Sequence, residues 1–174
     1  MGMYKYLKEN WENNKEIDSL MKERLIDFRR QPVIITVDKP TRIDKARRLG
    51  YKAKQGFVIA RVRLLKGGRS RRAIHRGRKP SKFGLKHFST TLNLRAIAEQ
   101  RANRKFRNME VLNSYYVADD GKYVWFEIIL IDSAHPAIKA DKDVSWIIEK
   151  RGRAFRGLTA AARRSKGARR KARW

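Results

Sequence analysis

The positive charge of this chain is concentrated in blocks, and the blocks leave few places for a core. Residues 29–110 carry 25 Lys and Arg against four Asp and Glu, and residues 150–174 carry 11 against none. By contrast, residues 1–28 hold five basic and six acidic groups, and residues 111–149 hold three and seven. A net charge of +27 repels itself in a compact state unless a polyanion neutralises it. A polyanionic partner is therefore expected, with the charge-poor segments supplying the fold. At 174 residues there is room for one real core and little for a second.

Several function classes drop out early. The apolar runs around Glu127 fall far short of the roughly 18 residues of a membrane span, so no membrane partner is expected. The start, Met1-Gly2-Met3-Tyr4-Lys5, lacks the apolar stretch of a secretory signal, and a cytoplasmic location is expected. The absence of cysteine removes disulfides, zinc fingers and thiol catalysis together.

Hydrophobic spacing supplies the elements. Tyr4, Leu7 and Trp11 share one helical face, Asn13 and Asn14 interrupt it, and Ile17, Met21, Leu25 and Phe28 define a second helix to about Arg30. Residues 33–37 are a β-branched strand, and a short helix through about Arg48 is closed by Gly50. In the strand 57–65, Val58, Ala60, Val62 and Leu64 form one apolar face; the other begins with Phe57 and Ile59 and ends in Arg61 and Arg63. Residues 92–107 predict a helix with Leu94, Ile97, Ala98, Ala102 and Phe106 inward and Arg95, Arg104 and Lys105 outward. Two strands, 109–118 and 122–132, are joined by Asp119-Asp120-Gly121, a hairpin turn. The second is apolar on both faces and calls for cover on both sides. His135-Pro136 begins a short helix, and residues 144–148 pair with or pack on the sheet. The fold class is α+β: a small, mostly antiparallel or mixed sheet of about four strands with packed helices. One domain is expected over 1–149, with a basic extension at 66–88 and a basic tail at 150–174.

Catalytic chemistry finds no footing. Asp119 and Asp120 belong to a turn, His75, His87 and His135 are scattered, and Glu127 on an apolar strand is more simply a residue at a sheet edge or a partner for an arginine. Neither GxxxxGK[ST] nor GxGxxG occurs. No catalytic residue, cofactor, metal or small-molecule substrate is expected. The cations remain. Residues 66–82 contain no acid, eight of seventeen are basic, and Gly67, Gly68 and Gly77 loosen the backbone, so this segment should order only when bound. Arg supplies 25 of the 44 cations, and its planar fork grips phosphate and stacks on bases. Contacts scattered over a loop, strand ends, a helix flank and a tail suit an irregular RNA better than the single reading helix of a duplex-DNA protein.

The segment Lys39-Pro40-Thr41-Arg42-Ile43-Asp44-Lys45-Ala46-Arg47-Arg48-Leu49-Gly50-Tyr51-Lys52-Ala53-Lys54-Gln55-Gly56 resembles the most characteristic stretch of the fifteenth large-subunit ribosomal protein family of the archaeal and eukaryotic type. Met3-Tyr4-Lys5-Tyr6, Val111-Leu112-Asn113-Ser114-Tyr115, Phe126-Glu127-Ile128-Ile129-Leu130-Ile131-Asp132 and Arg156-Gly157-Leu158-Thr159 are similar to that family in the same order. The short basic loop, absent cysteine and Ile-rich strands lean towards its archaeal members. The resemblance implies a structural, non-enzymatic protein embedded in large-subunit ribosomal RNA beside other ribosomal proteins, and not a homo-oligomer.

By that likeness Arg42, Lys45, Arg47, Arg48, Lys52 and Lys54 would lie on RNA. So would the basic loop, with Lys66, Arg69, Arg71, Arg72, His75, Arg76, Arg78, Lys79 and Lys82, and the tail, with Arg151, Arg153, Arg156, Arg163, Arg164, Lys166, Arg169, Arg170 and Lys171. Arg61, Arg63, Arg95, Arg104 and Lys105 complete the expected set. The rival readings are a free DNA-compacting protein and, less favoured, an RNA-modifying enzyme.

Overall fold

The computed structural model describes residues 2–70, 75–77, 87–88 and 90–165. Its centre is an antiparallel sheet of β1 (Ile34–Val37), β2 (Phe57–Leu65), β5 (Met109–Asp119) and β6 (Tyr123–Asp132), in the spatial order β1-β2-β6-β5. Strand β6 lies between β2 and β5, with Arg61 opposite Glu127 on one side and Tyr115 opposite Glu127 on the other. From Val124 to Ile131 every residue of β6 is buried, the burial its two-sided apolar pattern demands.

Helices cover both faces. On one, α4 (Leu94–Lys105) and α6 (Arg153–Arg156) press Ala98, Ala102 and Ala154 onto Ala60, Val62, Val111 and Ile128. On the other, α2 (Lys15–Arg30) and α3 (Ile43–Arg48) bring Met21, Leu25, Phe28 and Ala46 onto Ile59, Tyr115, Trp125 and Ile129. The alternation along β2 thus divides its residues between the two cores. A smaller cluster at one end joins Ile131 to Ile138 of α5 (Pro136–Lys139), Val144 and Ile147, the last on a 3-10 turn spanning Ser145–Ile147. Residues 144–148 therefore pack against the sheet and do not pair with it.

Three segments behave differently from their sequence pattern. Helix α1 (Met3–Asn13) buries no residue; Tyr4 and Leu7 stay exposed, and Trp11, near the last turn, is half-buried beneath the Arg42 guanidinium. The basic extension is pinned at its base, because β3 (Arg69–Ser70) pairs antiparallel with β4 (His87–Phe88). The Lys66 N–H also carries the β2–β6 ladder one step further to the Lys122 carbonyl. Finally, residues 153–165 of the segment read as a tail form α6 and α7 (Ala160–Ser165), which lay Ala161 and Ala162 against Ala96 of α4. Charge concealed this, because small alanines alternate there with the arginines.

Candidate nucleic-acid interface

The segment 39–56, which contains α3, packs on one face of the sheet and is held at several points. Glu127, fully buried, accepts the Thr41 N–H at 3.0 Å, the Thr41 hydroxyl at 2.5 Å and the Tyr115 hydroxyl at 2.6 Å. Arg61 donates to the same carboxylate through Nε at 3.3 Å and Nη2 at 3.2 Å, with its guanidinium 3.8 Å from the centre of the Phe28 ring. Burial first, and then the Glu127 charge and hydrogen bond, push the Tyr115 hydroxyl pKa far above its ordinary value. It stays a donor over the accessible pH range.

One turn on, Arg42 and Asp44 form a buried ion pair at 3.0 Å. Gly50 follows α3 with φ +96°, the left-handed position that ends a helix, where a Cβ would lie 3.1 Å from Leu112 Cδ2. Lys52 then reaches Asp141 at 2.9 Å and Asp143 at 2.7 Å, and Lys54 also bonds Asp141. The Lys52 and then the Lys54 ammonium hold the Asp141 carboxyl well below the usual carboxylate range, while Asp141 and then Asp143 raise Lys52.

These bonds divide the cations expected on RNA. Arg42, Arg61 and Arg153 are buried, and Arg153 spends its guanidinium on the Val111 carbonyl at 2.5 Å and the Leu112 carbonyl at 3.1 Å. Arg95 is half-buried against the Ser114 hydroxyl at 2.8 Å and Asn113 Oδ1 at 3.0 Å. Lys45, Lys52, Lys54 and Arg63 are half-buried, with Arg63 lying over the Tyr123 ring.

The outward set is Arg47 and Arg48 at the end of α3, Lys66 and Arg69 at the root of the extension, His75 and Arg76 within it, Arg104 and Lys105 on α4, and Arg151, Arg156, Arg163 and Arg164. Of these, Lys66 also binds the Asp119 carboxylate, and Lys105 the Ile34 carbonyl at 2.8 Å. Arg71, Arg72, Arg78, Lys79, Lys82, Lys166, Arg169, Arg170 and Lys171 lie outside the described residues.

Helix α4 gives the clearest face. Arg101, Arg104 and Lys105, spaced i, i+3, i+4, all point outward. Arg101 was missed among the expected contacts, although that spacing marks it. The one acid of α4, Glu99, is fully buried and accepts the hydroxyls of Ser114 and Thr159, so the outer face carries cations alone. Helix α7, also outwardly basic through Arg163 and Arg164, extends this face. Six exposed acids, Glu9, Glu12, Glu16, Asp18, Glu23 and Asp27, lie instead on α1 and α2, and Asp38, Asp119, Asp143 and Glu149 are exposed elsewhere. Among the described residues no group of three or more His, Asp or Glu side chains is placed to hold a metal ion, and no helix is long and apolar enough to cross a membrane.

The family profile described as Ribosomal L15 matches residues 2–174. A relative from Methanocella arvoryzae, the large ribosomal subunit protein eL15, is 48% identical over 172 residues, which cover 97% of this chain and 88% of the relative.

Proposed function

This chain belongs to the ribosomal L15e family, and on that premise we propose that it binds and stabilises folded ribosomal RNA of the large subunit through Arg and Lys contacts to phosphates. The observation that carries the proposal is the pairing pattern. Acids near the core are consumed by buried partners such as Arg61 and Arg42 or by hydroxyls, whereas the outer faces of α4 and α7 hold cations with no acid on those helices left to neutralise them. Phosphate is the anion such a surface meets in a ribosome, and the contacts fix position with little base specificity.

Arg47, Arg48, Lys66, Arg69, His75, Arg76, Arg104, Lys105, Arg151, Arg156, Arg163 and Arg164 are the proposed contacts among the described residues, with Arg101 added. Arg42, Arg61 and Arg153 brace the fold beneath them. Body and bracing are one unit in this reading, running from α1 through α7. Neighbouring ribosomal proteins are the second class of partner, no enzymatic step is assigned, and the place of work is the cytoplasmic ribosome.

A sucrose gradient of cell extract tests this. The protein is expected in the large-subunit peak at moderate salt and is released at high salt; its absence from that peak at moderate salt refutes the proposal. With isolated RNA, six to ten phosphate contacts imply a loss of about 10³–10⁵ in affinity between 50 and 200 mM salt. A free DNA-compacting protein would instead condense duplex DNA equally well and stay off the subunits.

A further inference from the structure

We infer that Trp146 is a stacking platform for one unpaired nucleobase, a base contact in a protein whose other proposed contacts are to phosphates. The inference rests on the RNA-binding reading above. Trp146 sits at the middle of the 3-10 turn Ser145–Ile147, between Val144 and Ile147, which are 4% and 0% exposed in the cluster with Ile131 and Ile138. Those two anchors fix the turn, so the indole cannot swing into the core without pulling its neighbours out. Its N–H donates to the Asp143 carbonyl at 2.8 Å, which sets the orientation of the ring. The result is a large aromatic ring held rigidly yet 39% exposed.

The surroundings decide what such a ring can receive. Arg153 lies 4.7 Å from its centre and is itself buried, so the side of the ring it covers is the inner one. Lys150 Nζ lies 5.5 Å from the centre and belongs to an exposed residue. Lys142, Glu149 and Arg151 are exposed nearby in sequence, and Asp143 is already bonded to Lys52. Protein-binding patches are depleted of charge at their centres. Here an exposed aromatic ring has two cations against it and lies in a segment whose charged side chains are mostly cations. A nucleotide fits that arrangement, with its base face on the indole and its phosphate beside Lys150 or Arg151. Stacking of this kind needs an unpaired base and tolerates any of the four.

The test uses the full-length protein, its Trp146→Leu and Trp146→Phe variants, and two RNA hairpins, one fully paired and one identical but for an unpaired adenosine bulge. Binding is measured by fluorescence anisotropy at one moderate salt concentration. Trp146→Leu is expected to weaken binding of the bulged RNA by about fivefold or more and leave the paired RNA unchanged. Trp146→Phe, which keeps an aromatic face and the packing over Arg153, should recover most of that loss. If Trp146→Leu lowers both affinities equally, or neither, the stacking inference is overturned and the ring belongs to a protein neighbour or to the fold. If the wild-type protein binds neither hairpin, the RNA-binding reading fails, and this inference with it.

Discussion

Replacing Glu127 with alanine tests the idea that one buried carboxylate organises the segment 39–56. In the wild type it receives hydrogen bonds from Thr41, Arg61 and Tyr115 while being 0% exposed, and the Arg61 side chain beside it is 9% exposed. Glu127→Ala leaves that guanidinium without its counter-ion and leaves the Tyr115 hydroxyl and the Thr41 N–H without their acceptor. Breaking a buried pair from one side costs about 3–5 kcal/mol. The stranded neutral donors are part of the same network and do not simply add to that figure. For a chain of this size the loss lowers the melting midpoint by roughly 8–14 °C. Urea unfolding at fixed salt measures it, and a double-mutant cycle with Arg61→Met separates the pair from the rest. Arg61→Met should be the milder single change, because Glu127 then keeps its bonds from Thr41 and Tyr115. The double variant should fall short of the summed losses by about 1–3 kcal/mol. A Glu127→Ala loss below about 1 kcal/mol, or strictly additive variants, refutes the argument.

Gly56→Ala should destabilise by about 2 kcal/mol or more, read from a thermal melt. At φ +90° a Cβ would stand 2.5 Å from Cγ1 of the fully buried Ile138, which has no room to retreat. The link between Lys52, Lys54 and Asp141 sets a pH window. Asp141 is depressed in the folded state, so its contribution is present above its ordinary value of 3.8 and is lost as pH falls through the lower folded value. Lys52 is raised, so its contribution is present below 10.5 and is lost as pH rises through the higher folded value. The stability difference between wild type and Asp141→Asn, followed by denaturation across pH, should therefore be flat through neutrality and shrink towards both extremes.

Much of the fold was legible because its long elements repeat one pattern for many residues. Strand β2, the β5–β6 hairpin and the inward face of α4 follow directly from apolar spacing. Helix α5 was announced by His135-Pro136, but the four-residue α6 and the 3-10 turn were not, because tertiary contacts decide whether so short a segment forms at all. The same limit governed the site. That so many cations call for counter-charge was legible in their number; which of them face outward was not. Arg61 meets Glu127 only because strands 66 residues apart pair in one register, and Lys52 finds Asp141 across 89. Arg153 read as one more cation of a basic run, and nothing in its neighbours announced the two strand carbonyls that draw it inside. The locked orientation of Trp146 was not legible either, because it depends on Val144 and Ile147 being anchored in the core.

The position of β6 between β2 and β5 bears on how the chain is born. Synthesis releases β2 long before the strand that pairs along its whole length, and until then its sheet partner is the four-residue β1. A two-stranded hairpin is marginal in water. At about 5–20 residues per second, the ribosome takes roughly 3–13 s to extend the chain from Leu65 to Asp132. During those seconds the cations of residues 29–110, 11 of them made by Leu65 and the other 14 added on the way to Asp132, are displayed on a nascent polyelectrolyte whose sheet cannot yet close. The topology therefore places the demand for shielding counter-charge in the lifetime of the emerging polypeptide, before any assembled particle exists to supply it.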